Sequence, residues 1–160
     1  MSFIGILTEY KNEEYLKEQI AEKDLGEAFF LNEKTIDNMR NIKFETFLLG
    51  KKIEDNQQCV RSIAENASYV VLNSDVKENL AILDNLDLTL ITYGYNQKAT
   101  ITTSSIEENK KLVCLQRNIK NVYGEEVEPQ EIEVNEKKEA NNYAIMEFVG
   151  LNLIYNRQNK

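Results

Sequence analysis

Short runs of apolar residues recur along the first 94 residues and are separated by longer polar stretches with helical spacing. Continuous apolar runs are typical of strands buried on both faces of a parallel sheet. In one intervening segment Val60, Ile63, Ala64 and Ala67 fall on a single face at a period of 3.6 residues, which predicts an amphipathic helix. The alternation predicts β/α units with right-handed crossovers, and so a mainly parallel sheet. The predicted strands are Phe3–Leu7, Ala28–Leu31, Phe44–Leu49, Tyr69–Leu72 and Leu88–Ile91.

The period changes after residue 94. Ala99–Ser104, Leu112–Gln116 and Gln130–Val134 predict antiparallel strands, and the only proline of the chain, Pro129, stands where the last of them can begin. The apolar segment from Ala140 to Tyr155 predicts a helix packed on the sheet, and a strand over 143–149 is the open alternative.

The predicted fold is therefore α/β: a three-layer, mainly parallel, Rossmann-like sheet with an antiparallel extension after residue 94. Residues 1–94 form the alternating β/α units, and residues 95–160 supply the antiparallel strands and the C-terminal helix. A length of 160 residues with 42% hydrophobic residues suits one core, and no repeat or long linker divides the chain. We predict a single domain over residues 1–160.

Charge narrows the range of partners. The net charge is -8, and no basic cluster is larger than Lys110-Lys111 or Lys137-Lys138. Nucleic acids and anionic membrane surfaces attract basic patches, so neither is an expected partner. No apolar run approaches the 18 residues of a membrane span, and the first residues lack the features of a secretory leader. The charge is compatible with a protein partner or with a second copy of the chain.

Two cysteines, Cys59 and Cys114, lie far apart in apolar surroundings. Two cysteines in a chain of this length do not make a disulfide framework. We expect both to be unpaired and mostly buried, in a protein of the reducing cytoplasm.

The sequence contains no histidine, which excludes catalytic triads that depend on an imidazole base. The six glycines are isolated from one another, so neither a P-loop nor a dinucleotide-binding fingerprint is present. No metal site and no cofactor are predicted, although a nucleotide stays possible. The residues favour a protein that is not an enzyme.

One half of the chain resembles a known family. Tyr69-Val70-Val71-Leu72-Asn73-Ser74-Asp75 is followed by Ile91-Thr92-Tyr93-Gly94, then by Ala99-Thr100-Ile101 and by Glu139-Ala140-Asn141-Asn142-Tyr143. This succession resembles the second half of the central domain of Mur ligases, which add amino acids to muramoyl precursors with ATP, and it covers about residues 69–155. The P-loop and the C-terminal domain of that family have no counterpart here, and Val76 replaces its second acid. The resemblance implies a bacterial protein.

The resemblance also implies binding residues. In the family the first acid of the turn lies near the ribose of the nucleotide, which corresponds to Asp75, and the Asn-rich segment lies near the base, which corresponds to Asn142. Each has an alternative structural role, because Asp75 and Glu78 have the spacing of a capping box and Asn142 can begin a helix. The same cap reasoning applies to Asn12 and to the spacing of Asp55 and Gln58.

A location argument adds three residues. Ligands of open α/β sheets bind at the carboxyl ends of the strands. Asn73, Tyr93 and Tyr95 are expected along that edge, beside Asp75, although tyrosines next to Gly94 also suit simple loop packing.

Three hypotheses of function follow. The first is a non-catalytic, Mur-ligase-like domain that binds a protein partner or a nucleotide-like ligand. The second is a small-molecule-binding regulatory domain of flavodoxin-like shape. The third is a partial ligase completed by another chain. The strand order of the sheet and the strands after Gly94 distinguish the first two.

Overall fold

A computed structural model describes residues 2–107, 110–135 and 140–158, and the side chains of residues 105–107 are not described. The strands are β1 (Phe3–Leu7), β2 (Glu27–Phe30), β3 (Thr46–Leu49), β4 (Tyr69–Asn73), β5 (Leu90–Tyr93), β6 (Ile101–Glu107), β7 (Lys110–Leu115), β8 (Ile119–Lys120), β9 (Glu126–Val127) and β10 (Gln130–Asn135). The helices are α1 (Tyr10–Lys23), α2 (Gln57–Asn66), α3 (Lys77–Ile82) and α4 (Asn142–Tyr155), with a 3₁₀ helix over Ile36–Met39.

Eight strands form one sheet in the order β10-β7-β6-β5-β4-β3-β1-β2. The pairings from β2 across to β6 are parallel, and β7 and β10 add antiparallel strands at one edge. This confirms the predicted α/β fold, with its mainly parallel sheet and its antiparallel extension. The first five strands have the order 2-1-3-4-5, which is the flavodoxin-like order of doubly wound sheets.

Helices cover both faces of the sheet, as the continuous apolar strands require. On one face Ile4, Leu48 and Val71 belong to a core that includes Leu16 of α1 and Met146 of α4. On the other face the alternate strand residues pack in a second core with α2, α3 and the 3₁₀ helix, namely Leu7, Phe47, Leu49, Val70 and Leu72. The protein is therefore a three-layer sandwich.

The apolar C-terminal segment is a helix, and the strand alternative is wrong. Eleven of the fourteen residues of α4 are buried, because the helix packs on the sheet and against α1. No described helix is long and apolar enough to cross a membrane. Cys59 and Cys114 are both free, as expected, but only Cys59 is fully buried and Cys114 is half-buried.

Three helix caps differ from the sequence prediction. Helix α1 begins at Tyr10, so Asn12 lies inside its first turn and is buried there. Helix α2 follows Asn56, whose backbone is left-handed and which makes no side-chain cap, so the predicted capping box of Asp55 and Gln58 is wrong. Helix α3 follows Val76 without a side-chain cap, so the predicted capping role of Asp75 is wrong. Asp75 instead accepts hydrogen bonds from Tyr95, Asn96 and Tyr143, which lie on other elements.

Candidate functional site

The carboxyl ends of the parallel strands converge on a polar edge that the start of α4 completes. Thr8 follows β1, Gly50 follows β3, and Ser74 and Asp75 follow β4. In the 2-1-3-4-5 order the topological switch point lies between β1 and β3, which is where doubly wound sheets bind ligands. We call this region the carboxyl edge.

Asp75 is the centre of one network at this edge. Its Oδ2 accepts hydrogen bonds from the backbone N–H of Tyr95 at 2.9 Å and from the hydroxyl of Tyr143 at 2.8 Å. Its Oδ1 accepts from the Asn96 side chain at 3.0 Å and from the Asn96 backbone N–H at 3.3 Å. Partial burial opposes ionisation, but these donors outweigh it, and the pKa of Asp75 lies below its usual value.

The local backbone aims Asp75 away from α3. The side-chain oxygen of Asn73 accepts from the N–H of Asp75 at 3.0 Å, which closes an Asx turn at the end of β4. Gly94, at the start of the loop after β5, then lets that loop approach the Asp75 carboxylate. A Cβ on Gly94 would lie 2.7 Å from the Asp75 carboxyl atoms, and the φ of Gly94 is +151°, which side chains disfavour.

Tyrosine rings join this network to α4. The Tyr143 ring makes edge contacts with Tyr93 and Tyr95, with centroid distances of 6.4 and 5.6 Å. The side-chain amide of Asn142 donates to the Tyr95 hydroxyl at 2.8 Å. The N-cap of α4 is Asn141, which accepts from the N–H of Tyr143, so Asn142 is not the cap. The structure therefore brings together Asn73, Asp75, Tyr93, Tyr95 and Asn142, the five residues proposed from the sequence.

A second network lies deeper, at the switch point. Glu147 is 0% exposed, and its carboxyl group accepts from the Tyr93 hydroxyl at 2.5 Å. The Thr8 hydroxyl lies 3.0 Å from both of its oxygens, and the Asn12 amide lies 3.5 Å from the Thr8 hydroxyl. Burial raises the pKa of Glu147 to about 7, although the bonds from Tyr93 and Thr8 oppose this.

Sequence reasoning missed Glu147, Thr8 and Asn12. A signal was present for Glu147, because it is the only charged residue of the apolar segment 142–155. A lone acid in a helix that is apolar on all sides predicts a buried carboxyl group. Its partners Thr8 and Tyr93 could not be found in this way, because they lie on other elements.

The N-terminus of α1 is unsuited to a phosphate group. The β1–α1 turn is only Thr8 and Glu9, and Glu9 is the N-cap residue of α1. A carboxylate at that position repels an anion from the positive end of the helix. Among the described residues no group of three acidic or cysteine side chains could hold a metal ion.

A shallow groove opens beside the polar networks, between α1 and the start of α4. It encloses about 200 Å³ and is lined by Lys11, Glu14, Tyr15, Glu18, Ala140, Asn141 and Ala144. Tyr10, in the first turn of α1, is 87% exposed, and Tyr95 is 50% exposed. The accessible part of the edge thus combines aromatic rings with mixed charges.

No protein-family model matches this chain, and no curated protein matches it. The fold and the edge define a doubly wound α/β protein with a flavodoxin-like strand order. The relationship to Mur ligases stays a prediction from the residues quoted above.

Asp75→Ala is expected to destabilise the protein by about 1–3 kcal/mol, because four donors lose one partly buried acceptor group. Asp75→Asn and Asp75→Ser should recover little of this loss, since neither offers two acceptor oxygens. Chemical denaturation of each variant measures the free energy of unfolding. The matched control is Asp84→Asn at an exposed aspartate, which should change little. Full recovery in Asp75→Ser would instead indicate a helix cap.

Proposed function

We propose that this chain is a non-catalytic, Mur-ligase-like domain that acts by binding a protein partner at its carboxyl edge. The observation that carries the proposal is the internal hydrogen bonding of the Asp75 carboxylate. All four acceptor positions of its carboxylate are occupied by donors of the same chain.

These internal hydrogen bonds leave few free polar groups to bind a nucleotide. A ribose would need acceptors for its hydroxyl groups, and the oxygens of Asp75 are already paired. The amide of Asn142, which the resemblance assigns to the base, is committed to Tyr95. The sequence lacks a P-loop, and Glu9 stands at the helix terminus nearest the switch point. These features favour a scaffold whose former ligand groups hold its own loops.

Exposed aromatic side chains favour a protein as the partner. Tyrosine is enriched at protein interfaces, where its ring supplies contact area and its hydroxyl a hydrogen bond. Tyr10 and Tyr95 offer such rings at the carboxyl edge, and Lys11 and Glu14 supply charges of both signs next to Tyr10.

A second candidate is a small-molecule-binding regulatory domain of flavodoxin-like shape. The strand order 2-1-3-4-5 favours it, because that order places a ligand crevice at the β1/β3 switch point. Three later strands of the same sheet, β6, β7 and β10, extend beyond that arrangement.

Nucleotide binding distinguishes these possibilities. We expect no heat of binding when the purified protein is titrated with ATP or with a UDP-linked nucleotide, and no phosphate release above background. Micromolar binding that Asp75→Ser abolishes, with the melting temperature unchanged, would contradict the proposal and support a nucleotide site. Binding that survives this substitution would favour the crevice at the switch point.

Tyr10 tests the partner surface directly. We expect a protein partner to co-purify with the wild-type chain and to be absent from the Tyr10→Ala preparation, which should fold normally because Tyr10 is 87% exposed. Tyr123→Ala is the matched control, since Tyr123 is a 46% exposed tyrosine on the loop between β8 and β9. Equal recovery of the partner by Tyr10→Ala and by the wild type would show that the interface lies elsewhere.

A further inference from the structure

The deeper network contains an ionisable group that the proposed function does not use. Glu147 is fully buried, and its neighbours Thr8, Asn12 and Tyr93 are buried as well. Among the described residues no lysine or arginine forms an ion pair with it. A buried carboxylate without a cation is costly, and a protein avoids that cost by keeping the group protonated.

A count of hydrogens favours a proton on Glu147. An ionised carboxylate offers about four acceptor positions, whereas three side chains approach it as donors, namely the hydroxyls of Tyr93 and Thr8 and the amide of Asn12. The Thr8 hydroxyl has one hydrogen and lies at equal distance from both carboxyl oxygens, so it can accept from a protonated Glu147. The Asn12 carbonyl oxygen is buried without a partner, so the cluster also has an acceptor to spare.

We infer that Glu147 is a proton-operated latch, which holds the β1–α1 turn against α4 when protonated and releases that turn when ionised. The step is a single proton transfer. The O–H bond of the Glu147 carboxyl group breaks, its electron pair stays on the carboxylate, and the proton passes to solvent water. Because the inference concerns the protonation of Glu147, it holds whatever binds at the carboxyl edge.

The packing around Glu147 indicates which element moves. Gly50, which lies against the Glu147 carboxyl group, directly follows the central strand β3 and cannot retreat, and Tyr93 lies on β5 inside the sheet. In the β1–α1 turn Thr8 is buried, but Glu9 is exposed, as are Tyr10 and Lys11 at the start of α1, so the turn lies next to solvent. A charged Glu147 can therefore gain water most easily through a displacement of this turn.

The charged groups around Glu147 also favour displacement of the β1–α1 turn when Glu147 is ionised. Glu9, on the turn itself, repels an ionised Glu147. From α1, Lys11, Glu14 and Glu18 line the groove towards α4. On the β3 side Lys51 is 3.4 Å from Glu33 and so is engaged elsewhere. Tyr93 faces Glu147 from β5, and burial with the nearby charge of Glu147 raises the pKa of its phenol well above the usual value.

The sign of the pH effect follows from proton linkage. The pKa of Glu147 is about 7 in the folded protein against an ordinary value of 4.5, so the folded state binds the extra proton between these limits. Stability therefore falls as pH rises from about 5 to about 7 and levels off above that. We expect the unfolding equilibrium constant of the wild type to rise roughly tenfold per pH unit over this range, about a hundredfold in all.

Glu147→Gln tests this, since glutamine keeps the shape and the hydrogen bonding but cannot ionise. Denaturation curves between pH 5 and pH 8 should show the decline in the wild type and a flat profile in Glu147→Gln. Glu22→Gln, at an exposed glutamate of α1, is the matched control and should keep the decline. A wild-type profile without the decline, or the same decline in Glu147→Gln, would overturn the inference.

Two measurements on the wild-type chain keep the test decisive if that variant does not fold. The carbon-13 shift of the Glu147 carboxyl group should titrate near pH 7, and a midpoint below pH 5 would overturn the inference. Amide protection factors in the first turn of α1 should fall as pH rises through 7, while those of α2 fall less. An equal fall in both helices would contradict a latch at the β1–α1 turn.

Discussion

A chain that ends before Ala140 is expected to lose its cooperative unfolding transition altogether. Helix α4 covers the centre of one sheet face, and its core side chains are almost completely buried: Ile145, Met146, Phe148, Val149, Leu151, Leu153 and Ile154. Each large apolar side chain contributes about 1.5–3 kcal/mol when buried, whereas a domain has a net stability of about 5–15 kcal/mol. The loss therefore exceeds the stability that remains.

Thermal denaturation followed by circular dichroism measures this effect. A chain that ends at Tyr155 keeps all of α4 and is the matched control, because it loses only the tail after the helix. We expect the control to melt cooperatively and the shorter chain to be insoluble or to show no transition. A cooperative transition of the shorter chain near that of the intact protein would refute the role given to α4.

Gly50→Ala is expected to destabilise the protein by about 2–4 kcal/mol, combining overpacking with the loss of buried hydrogen bonds. A Cβ at this position would lie 2.6 Å from Glu147 Oε2, 2.6 Å from the Tyr93 hydroxyl oxygen and 2.7 Å from Thr8 Oγ1. All three atoms belong to buried side chains, so none can move into solvent to relieve the contact.

Gly150→Ala is the matched control for this substitution. Its Cβ would meet Ile101 at 3.4 Å and Val71 at 3.5 Å, which are ordinary contacts, and the position lies within α4. Alanine in a helix interior is more stable than glycine by roughly 0.5–1 kcal/mol, so this variant should equal or exceed the wild type. Similar free energies of unfolding for the two variants would contradict the tight contact between Gly50 and the Glu147 cluster.

The two polar networks give the edge opposite responses to pH. The carboxylate of Asp75 is stabilised by its donors, so its contribution to stability is present above its ordinary pKa of about 4 and is lost as pH falls below it. The Glu147 carboxyl group disfavours the folded state as pH rises towards 7. The protein should therefore be most stable near pH 5, between the two effects.

The sequence alone determined the layers of this protein. Continuous apolar runs predicted the five parallel strands, and the change of period after residue 94 predicted the antiparallel strands. Strand bounds shifted by two residues at β3 and β5, where apolar residues such as Phe44 and Leu88 pack in the loops before the strands. Local periodicity reports burial reliably because each element must hide one face or both, whatever its neighbours are.

Only the tertiary structure decided what the polar residues do. Asp75 has the spacing of a cap, yet it accepts hydrogen bonds from Tyr95, 20 residues later, and from Tyr143, 68 residues later. Glu147 meets Thr8 across 139 residues of chain. A side-chain hydrogen bond depends on positions within a few tenths of an ångström, which are set by the order of the strands and by the packing of α4. A local sequence pattern contains neither the strand order nor the packing of α4. It therefore predicted the edge on which these residues lie but not their hydrogen-bond partners.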